Sequence, residues 1–256
     1  MLSLWALILA CYWRIGLAGR VLAGGDIFTY FYPYWAEATR AVHAGRLPLW
    51  NPYLFMGVPF LANSQVGFFY PFNRLLWLLF PAHRSIHLTI VGHLGLAASL
   101  GYLWARTSLR QGRVGAWTVG AILALGGYLG SQVEHVNQLQ GMAWFPLTLL
   151  LYDRAVCAGR RRGGAIPPSL ALAVVVALIL LAGHTQTAFI SLVGLAIYGM
   201  LPTPLPHLRG GLCRRVGVWM LAAVLGATLA AVQLVPTWEL SRLSIRARNK
   251  PAANST

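Results

Sequence analysis

The chain has 256 residues, of which 57% are apolar and only 10% are charged, and its mean hydropathy is +0.62. Soluble domains carry about 25% charged residues, so this composition excludes an ordinary soluble protein and predicts an integral membrane protein. The net charge of +15 does not indicate a nucleic-acid partner, because the basic residues form short arginine clusters between apolar runs, as topology signals do. Three cysteines without CxxC or Cys/His spacing predict neither disulfides nor a zinc site.

Apolar stretches follow one another along the chain, and a helix needs about 20 such residues to cross a bilayer. The predicted spans are residues 2–21, 85–105, 114–130, 139–156, 169–183, 185–201 and 216–235. Residues 169–201 are interpreted as a hairpin, because one helix of that length would rise about 50 Å across a core of about 30 Å. The sequence therefore predicts an all-α polytopic membrane protein with about seven transmembrane helices and one long first outer loop.

Arginine clusters orient these spans, since cationic loops favour the cytoplasmic side. Residues 106–113, 154–162 and 207–215 are predicted to lie inside, and residues 24–84, 131–138 and 183–185 outside. Four of the five acidic residues then lie outside, and Asp153 is expected to pair with Arg154 at the inner surface. We expect a single multi-pass domain in the cell (plasma) membrane, with residues 237–256 as the outer tail of a truncated chain.

The outer loop begins with Gly24-Gly25-Asp26, and residues 26–80 hold 16 of the chain's 30 aromatic residues. Residues 28–42 are predicted to form an amphipathic helix in the membrane interface. A carboxylate at the edge of the hydrocarbon is costly without a role or a partner. Asp26 is therefore a candidate general base or metal ligand, and an N-cap of the interfacial helix is the open alternative.

Further polar residues lie in predicted outer turns. Glu134 and His135 could bind a sugar or a phosphate, or could form a solvated turn. His184 and Gln186 interrupt the hairpin, where a histidine can donate to phosphate or bind metal, or satisfy the local backbone. His93, within a span, could line a cavity, but a hydrogen-bonded core histidine is the simpler interpretation.

Arg74, with three other loop arginines, could hold a lipid phosphate or contact headgroups, because a guanidinium suits phosphate geometry. Asn51, in the turn-rich segment 47–52, is a further candidate for substrate binding. No P-loop, GxGxxG, HExxH or GxSxG motif is present in the sequence. Chemistry at the outer face could not use cytosolic nucleotide sugars directly and would need a lipid-carried donor.

Several segments carry a family resemblance in a fixed order. They are GDIFTYFYPYW, GRLPLWNPYLFMGVPFLANSQVGFFYPFN with His93 after it, EHVNQLQGMAWFPL, LLAGHTQTAF and QLVPTWELSRLSIR. This ordered set resembles the N-terminal portion of the YfhO-like bacterial membrane proteins, which belong to the GT-C-type glycosyltransferases. The resemblance implies a catalytic carboxylate in the first outer loop, a polyprenyl-phosphate-linked sugar donor, and an external acceptor, either an envelope polymer or a lipid. Asp26 matches that carboxylate by position.

These observations lead to the hypothesis of an inverting glycosyltransferase in contact with membrane lipids, with Asp26 as the general base. The predicted substrate-binding residues are Glu134, His135, His184, Gln186, Asn51 and Arg74. The metal requirement is left open, with a divalent metal ion as one way to stabilise the leaving phosphate. The alternatives are a non-catalytic transporter or assembly factor for envelope polymers, or an inactive fragment of a longer YfhO-like protein. Convergence of the acidic and histidine residues on one site would favour the enzyme.

Overall fold

The computed structural model describes residues 1–158, 166–200 and 211–244, and this part of the chain is mostly helical. In chain order the helices are α1 (Leu2–Cys11), α2 (Trp13–Gly16), α3 (Tyr32–His43), α4 (Pro71–Leu79), α5 (Ala82–Thr107), α6 (Arg113–Leu125), α7 (Gly127–Ser131), α8 (Val136–Ala143), α9 (Phe145–Ala158), α10 (Ile166–Leu181), α11 (Thr185–Met200), α12 (Leu212–Leu229) and α13 (Ala231–Leu243). A π-helical turn at Ile27–Phe31, 3₁₀ turns at Ser64–Val66 and Gln132–Glu134, and a small antiparallel hairpin of β1 (Trp50–Asn51) and β2 (Val58–Pro59) lie between them. The predicted all-α class is confirmed.

Three helical runs of the described chain are long and apolar enough to cross a membrane. They are Ala82–Thr107, the run Arg113–Glu134 and Leu212–Leu229. At 1.5 Å per residue, α5 rises about 39 Å, more than a hydrocarbon core of about 30 Å. The apolar helices Leu2–Cys11, Ile166–Leu181 and Thr185–Met200 are shorter. A helical fold with membrane-crossing helices is thus supported, while the full set of seven spans stays a prediction.

Several predicted spans are interrupted. The span expected at residues 2–21 ends as α1 at Cys11, because Tyr12 turns out of the helical region with ψ 23°. The span expected at residues 139–156 is divided at Trp144 into α8 and α9. Pro146 lacks the N–H that a continuous helix would require there. The last predicted span is divided at Ala230 into α12 and α13.

The predicted hairpin of residues 169–201 is confirmed as α10 and α11, joined at residues 182–184. Gly183 makes this turn with φ +96°, a conformation that glycine adopts without strain. A Cβ at this position would lie 1.9 Å from the carbonyl oxygen of Ser64. The hairpin turn and the long loop therefore pack against each other with backbone touching backbone.

Helix α5 is the central element, and small residues bring its neighbours close. The ring of Trp5 on α1 covers Gly95, where an added Cβ would lie 2.3 Å from the ring. On α6, a Cβ at Gly120 would lie 2.6 Å from the carbonyl oxygen of Ala98. Close approach through glycine is how membrane helices gain van der Waals packing.

Two ends of the bundle can be distinguished by contacts. At the end we call the loop end, the long loop meets the turns before α8 and before α11, as well as α13. There the side-chain amide of Gln233 donates to the carbonyl oxygen of Leu61, and the Thr237 hydroxyl donates to that of Ala62, both at 3.0 Å. The segments predicted to lie outside thus gather at one end. That this end faces the cell exterior stays a prediction.

The other end, which we call the arginine end, joins the described parts of the predicted inner loops. Arg214 donates to the carbonyl oxygen of Ala155 at 2.7 Å, and Arg215 donates to that of Gly199 at 3.3 Å. Asp153 is buried here and accepts a hydrogen bond from the Tyr198 hydroxyl at 3.0 Å. The expectation that Asp153 lies at the surface is therefore wrong. The predicted cluster at residues 160–162, residues 207 and 209, and the basic residues after 244 lie outside the described residues.

Candidate functional site

Asp26 follows the turn made by Gly24 and Gly25 and opens the helical run that leads into α3. Gly25 has φ +50°, and the Thr29 hydroxyl donates to its carbonyl oxygen at 3.2 Å. The backbone of Asp26 is itself helical, and its side chain makes no capping hydrogen bond. The N-cap alternative for Asp26 is therefore wrong, and its carboxylate, 57% exposed, is left for other partners. The predicted helix at residues 28–42 is confirmed, as the π-helical turn followed by α3.

The turn before α8 covers the Gly24–Asp26 segment. His135 Nε2 lies 3.5 Å from Asp26 Oδ2, and the His135 side chain is 42% exposed. Glu134 lies against the glycines: a Cβ at Gly25 would be 2.2 Å from Glu134 Oε2, and one at Gly24 would be 3.1 Å from Oε1. The carboxylate of Asp26 therefore shares one surface with the Glu134 carboxylate and the His135 imidazole, which are more than 100 residues away in sequence.

His184 adds a second imidazole from the α10–α11 turn. The backbone N–H of Thr187 donates to His184 Nδ1 at 3.2 Å, and the Thr187 hydroxyl lies 2.8 Å from the same nitrogen. Because Nδ1 accepts, the ring proton of the neutral form sits on Nε2. Burial lowers the pKa of His184, and the nearby His135 lowers it further. His184 is therefore a neutral N–H donor at pH 7.

Tyr30 lies close enough to Asp26 to be affected by its charge, and Asn63 contacts Tyr30; the sequence analysis missed both residues. Asn63 Nδ2 donates to the Tyr30 hydroxyl at 2.7 Å, and the Tyr30 ring stacks on Tyr34 at 4.4 Å. Burial raises the pKa of Tyr30, and Tyr34 and Asp26 add to the rise. Only the aromatic richness of the loop could have indicated Tyr30, and no pattern marked Asn63.

The remaining predicted binding residues have other surroundings. The Asn51 side chain is buried and accepts from the Tyr53 N–H at 2.9 Å, which serves the local turn. The Arg74 guanidinium lies 5.5 Å from the Phe68 ring centroid and is exposed. Gln186 is exposed on the first turn of α11, two residues after His184. Of the predicted set, Glu134 and His135 contact the Gly24–Asp26 segment and His184 lies near His135, whereas the contacts of Asn51 and Arg74 are made elsewhere.

A second polar cluster is fully buried at the loop end, and we call it the His93 network. His93 Nδ1 donates to the Thr89 carbonyl oxygen at 2.8 Å, so Nε2 accepts from the Tyr70 hydroxyl at 2.7 Å. That hydroxyl in turn accepts from the indole N–H of Trp144 at 2.8 Å. The expectation that His93 is a hydrogen-bonded core histidine is confirmed.

Beside the His93 network, an amide pair continues the buried contacts between loop and helices. Asn73 donates to the carbonyl oxygen of Gly67 at 3.2 Å and accepts from Gln140 of α8. Buried polar groups with complete partners rigidify the parts they join. Together, these bonds fix the loop to α5 and α8 and so hold the Asp26 surface in place.

The side chains that could hold a metal ion in this chain are those of His, Cys, Asp and Glu. Within residues 1–158, 166–200 and 211–244, no group of three or more His, Cys, Asp or Glu side chains is placed to hold a metal ion. The divalent ion considered from the sequence therefore has no complete protein donor set in this part of the chain.

Comparisons of the chain with known protein families, with characterised proteins and with solved structures found no match. The resemblance to the YfhO-like proteins accordingly stays a prediction.

Proposed function

We propose that the protein is a membrane glycosyltransferase of the GT-C type, which transfers a sugar from a polyprenyl-phosphate donor to an acceptor hydroxyl at the external face of a membrane. The observation that carries the proposal is the surface cluster at the loop end: Asp26 lies beside His135, Glu134 of the same turn as His135 lies against Gly24 and Gly25, and His184 of a second turn lies near His135. An exposed, uncapped carboxylate held next to proton-carrying groups is what base-assisted transfer requires.

In the proposed reaction, the acceptor oxygen attacks the anomeric carbon of the sugar while the bond from that carbon to the phosphate oxygen breaks. Asp26 accepts the proton of the acceptor hydroxyl, and the polyprenyl phosphate leaves with the bonding electron pair. The anomeric configuration inverts in this single displacement. His135 lies on Asp26 Oδ2, so Oδ1 is the oxygen that we assign to the acceptor hydroxyl.

The leaving phosphate needs a donor on the same surface. His184 fits this role, because its Nδ1 is occupied by Thr187 and its Nε2 carries the proton. Glu134, held against Gly24 and Gly25, would accept from the sugar hydroxyls. Charge-assisted hydrogen bonds to a developing phosphate anion are about twice as strong as neutral ones, which favours the departing group over the bound substrate.

The test is sugar transfer from labelled polyprenyl-phosphate sugars by membranes containing the wild type or Asp26→Asn. We expect transfer to fall by about 10² to 10⁴ in rate, the usual contribution of a general base. Glu239→Gln is the matched control, since Glu239 is an exposed carboxylate on α13 outside the cluster, and it should keep the wild-type rate. Wild-type transfer by Asp26→Asn would remove Asp26 from the mechanism.

A transporter or assembly factor is the alternative from another class. Such a protein would carry polar side chains along a path through its spans. The buried histidine and amide groups on α5 and α8 are instead bonded to Tyr70 and Asn73 of the loop, which accounts for them without a path. Absence of transfer from every donor sugar by the wild type would favour this alternative.

A further inference from the structure

The hairpin of β1 and β2 presents an apolar tip that nothing in the described chain covers. Phe55 and Met56 at the tip are 84% and 103% exposed. Four more apolar side chains of the same segment are each more than half exposed: Leu47, Leu49, Trp50 and Tyr53. Exposed apolar patches of this kind mark binding surfaces or membrane contact sites.

The tip is held outward by its own backbone. Phe55 and Met56 both adopt positive φ, at +48° and +61°, which is rare for side chains of this size. The N–H of Gly57 donates to the Leu54 carbonyl oxygen at 2.7 Å, and the Trp50 ring packs against Gly57. A strained conformation at consecutive residues that exposes both side chains points to a function for the exposure.

The base of the hairpin is anchored in the core. Phe60 follows β2, is fully buried, and stacks on Tyr34 at a centroid distance of 5.8 Å. Its N–H donates to the Leu49 carbonyl oxygen at 3.0 Å. The tip is therefore a projection from a rigid base.

Arginines flank the tip, and the acidic residue that pairs with them is buried. Arg40 lies 4.7 Å from the ring centroid of Tyr53 and is 54% exposed, and Arg46 is 47% exposed. Both contact Glu37, which is 1% exposed. The surface at the tip is thus apolar with a cationic margin, which complements the headgroups of anionic lipids.

We propose that the hairpin tip, residues 50–57, inserts into the headgroup layer of the bilayer that the chain's apolar helices cross, with Phe55 and Met56 deepest and Arg40 and Arg46 at the lipid phosphates. Aromatic side chains favour this layer, and long basic side chains reach phosphates from its edge. The insertion anchors the loop end to the membrane independently of any activity at Asp26.

The test uses the full chain with Cys11, Cys157 and Cys213 changed to Ser and a nitroxide attached at Met56→Cys, or at Phe55→Cys as a second position. The protein is reconstituted into vesicles of phosphatidylethanolamine and phosphatidylglycerol. Electron paramagnetic resonance then measures collisions of the label with oxygen, which concentrates in lipid, and with a water-soluble nickel chelate. Gly112→Cys is the control, because a side chain there meets open space in the loop between α5 and α6.

We expect the ratio of oxygen to nickel collisions to be several-fold higher at position 56 than at position 112. Replacing phosphatidylglycerol with phosphatidylcholine should lower the ratio at position 56, because the arginines lose their anionic partners. Equal ratios at positions 56 and 112 would overturn the proposal. A label that neither reagent reaches would report contact with a second copy of the chain, and would also overturn it.

Discussion

Two histidine-containing clusters at the loop end differ in how their polar atoms are satisfied. In the His93 network the imidazole is 5% exposed and both ring nitrogens are bonded. At the Asp26 site, the His135 and Asp26 side chains are 42% and 57% exposed and meet at 3.5 Å. A buried group with complete bonds has no capacity for a new ligand, whereas an exposed carboxylate such as that of Asp26 can exchange water for a substrate. We therefore infer a structural role for the His93 network and a chemical role for the Asp26 site.

The largest expected effect is a difference in the free energy of unfolding between variants of His93 and of His135. Changing His93 to Ala leaves the buried Tyr70 hydroxyl without an acceptor for its proton, which we expect to cost about 3 kcal/mol in the free energy of unfolding. Changing the exposed His135 to Ala should alter that free energy by no more than about 0.5 kcal/mol. Denaturation of both variants in detergent measures the difference. Equal losses would contradict the assignment of the two clusters.

A smaller effect isolates the contact between Glu134 and the glycine turn. Gly25 and Gly19 both have positive φ, so Ala at either position should cost about 1 kcal/mol of stability from backbone strain. Only Gly25→Ala also displaces the Glu134 carboxylate, because a Cβ at Gly19 meets nothing within 4 Å. We expect about a ten- to hundredfold drop in transfer rate for Gly25→Ala, since small displacements of positioned groups are costly. Gly19→Ala should transfer at the wild-type rate, and equal transfer by both variants would show that the position of Glu134 does not matter.

The smallest effect concerns pH. An unfolded histidine has a pKa of about 6.5, and that of His184 is lower in the folded protein because of burial and His135. Below pH 6.5 the unfolded chain therefore binds more protons than the folded chain, so stability falls as the pH drops from about 6.5 through the folded pKa. His184→Gln cannot titrate and should lose less stability than the wild type between pH 7 and pH 5. Melting temperatures at both pH values provide the measurement, and identical losses would refute the inferred shift.

Regular features of the fold could be predicted from sequence because they depend on local composition. The α10–α11 hairpin followed from the length of residues 169–201 and the polar break at residues 183–186, and the helix predicted at residues 28–42 followed from its amphipathic pattern. Interruptions at Tyr12 and Ala230 were not predicted, since neither residue breaks a helix by its chemistry. Hydropathy reports how apolar a stretch is and carries little information on where its helix ends.

The candidate site was predictable in part. Glu134, His135 and His184 stood out because charged or titratable residues are rare in so apolar a chain. Their approach to Asp26 depends on tertiary contacts, such as Glu134 against Gly25, that no single stretch encodes. The surroundings of Asn51 were not predictable for the same reason, because only the folded turn reveals that its amide oxygen accepts from the Tyr53 N–H.

The most direct test of the account is whether residues 26 and 135 are neighbours at one end of the molecule. In a chain whose three native cysteines are changed to Ser, the pair Asp26→Cys and His135→Cys should be joined by a short thiol-specific cross-linker. The pair Asp26→Cys and Gly112→Cys should not be joined, because the unbroken helix α5 runs about 39 Å between the loop end and the arginine end. If positions 26 and 135 each react with a thiol reagent and yet never cross-link, the shared surface on which the proposed chemistry depends does not exist.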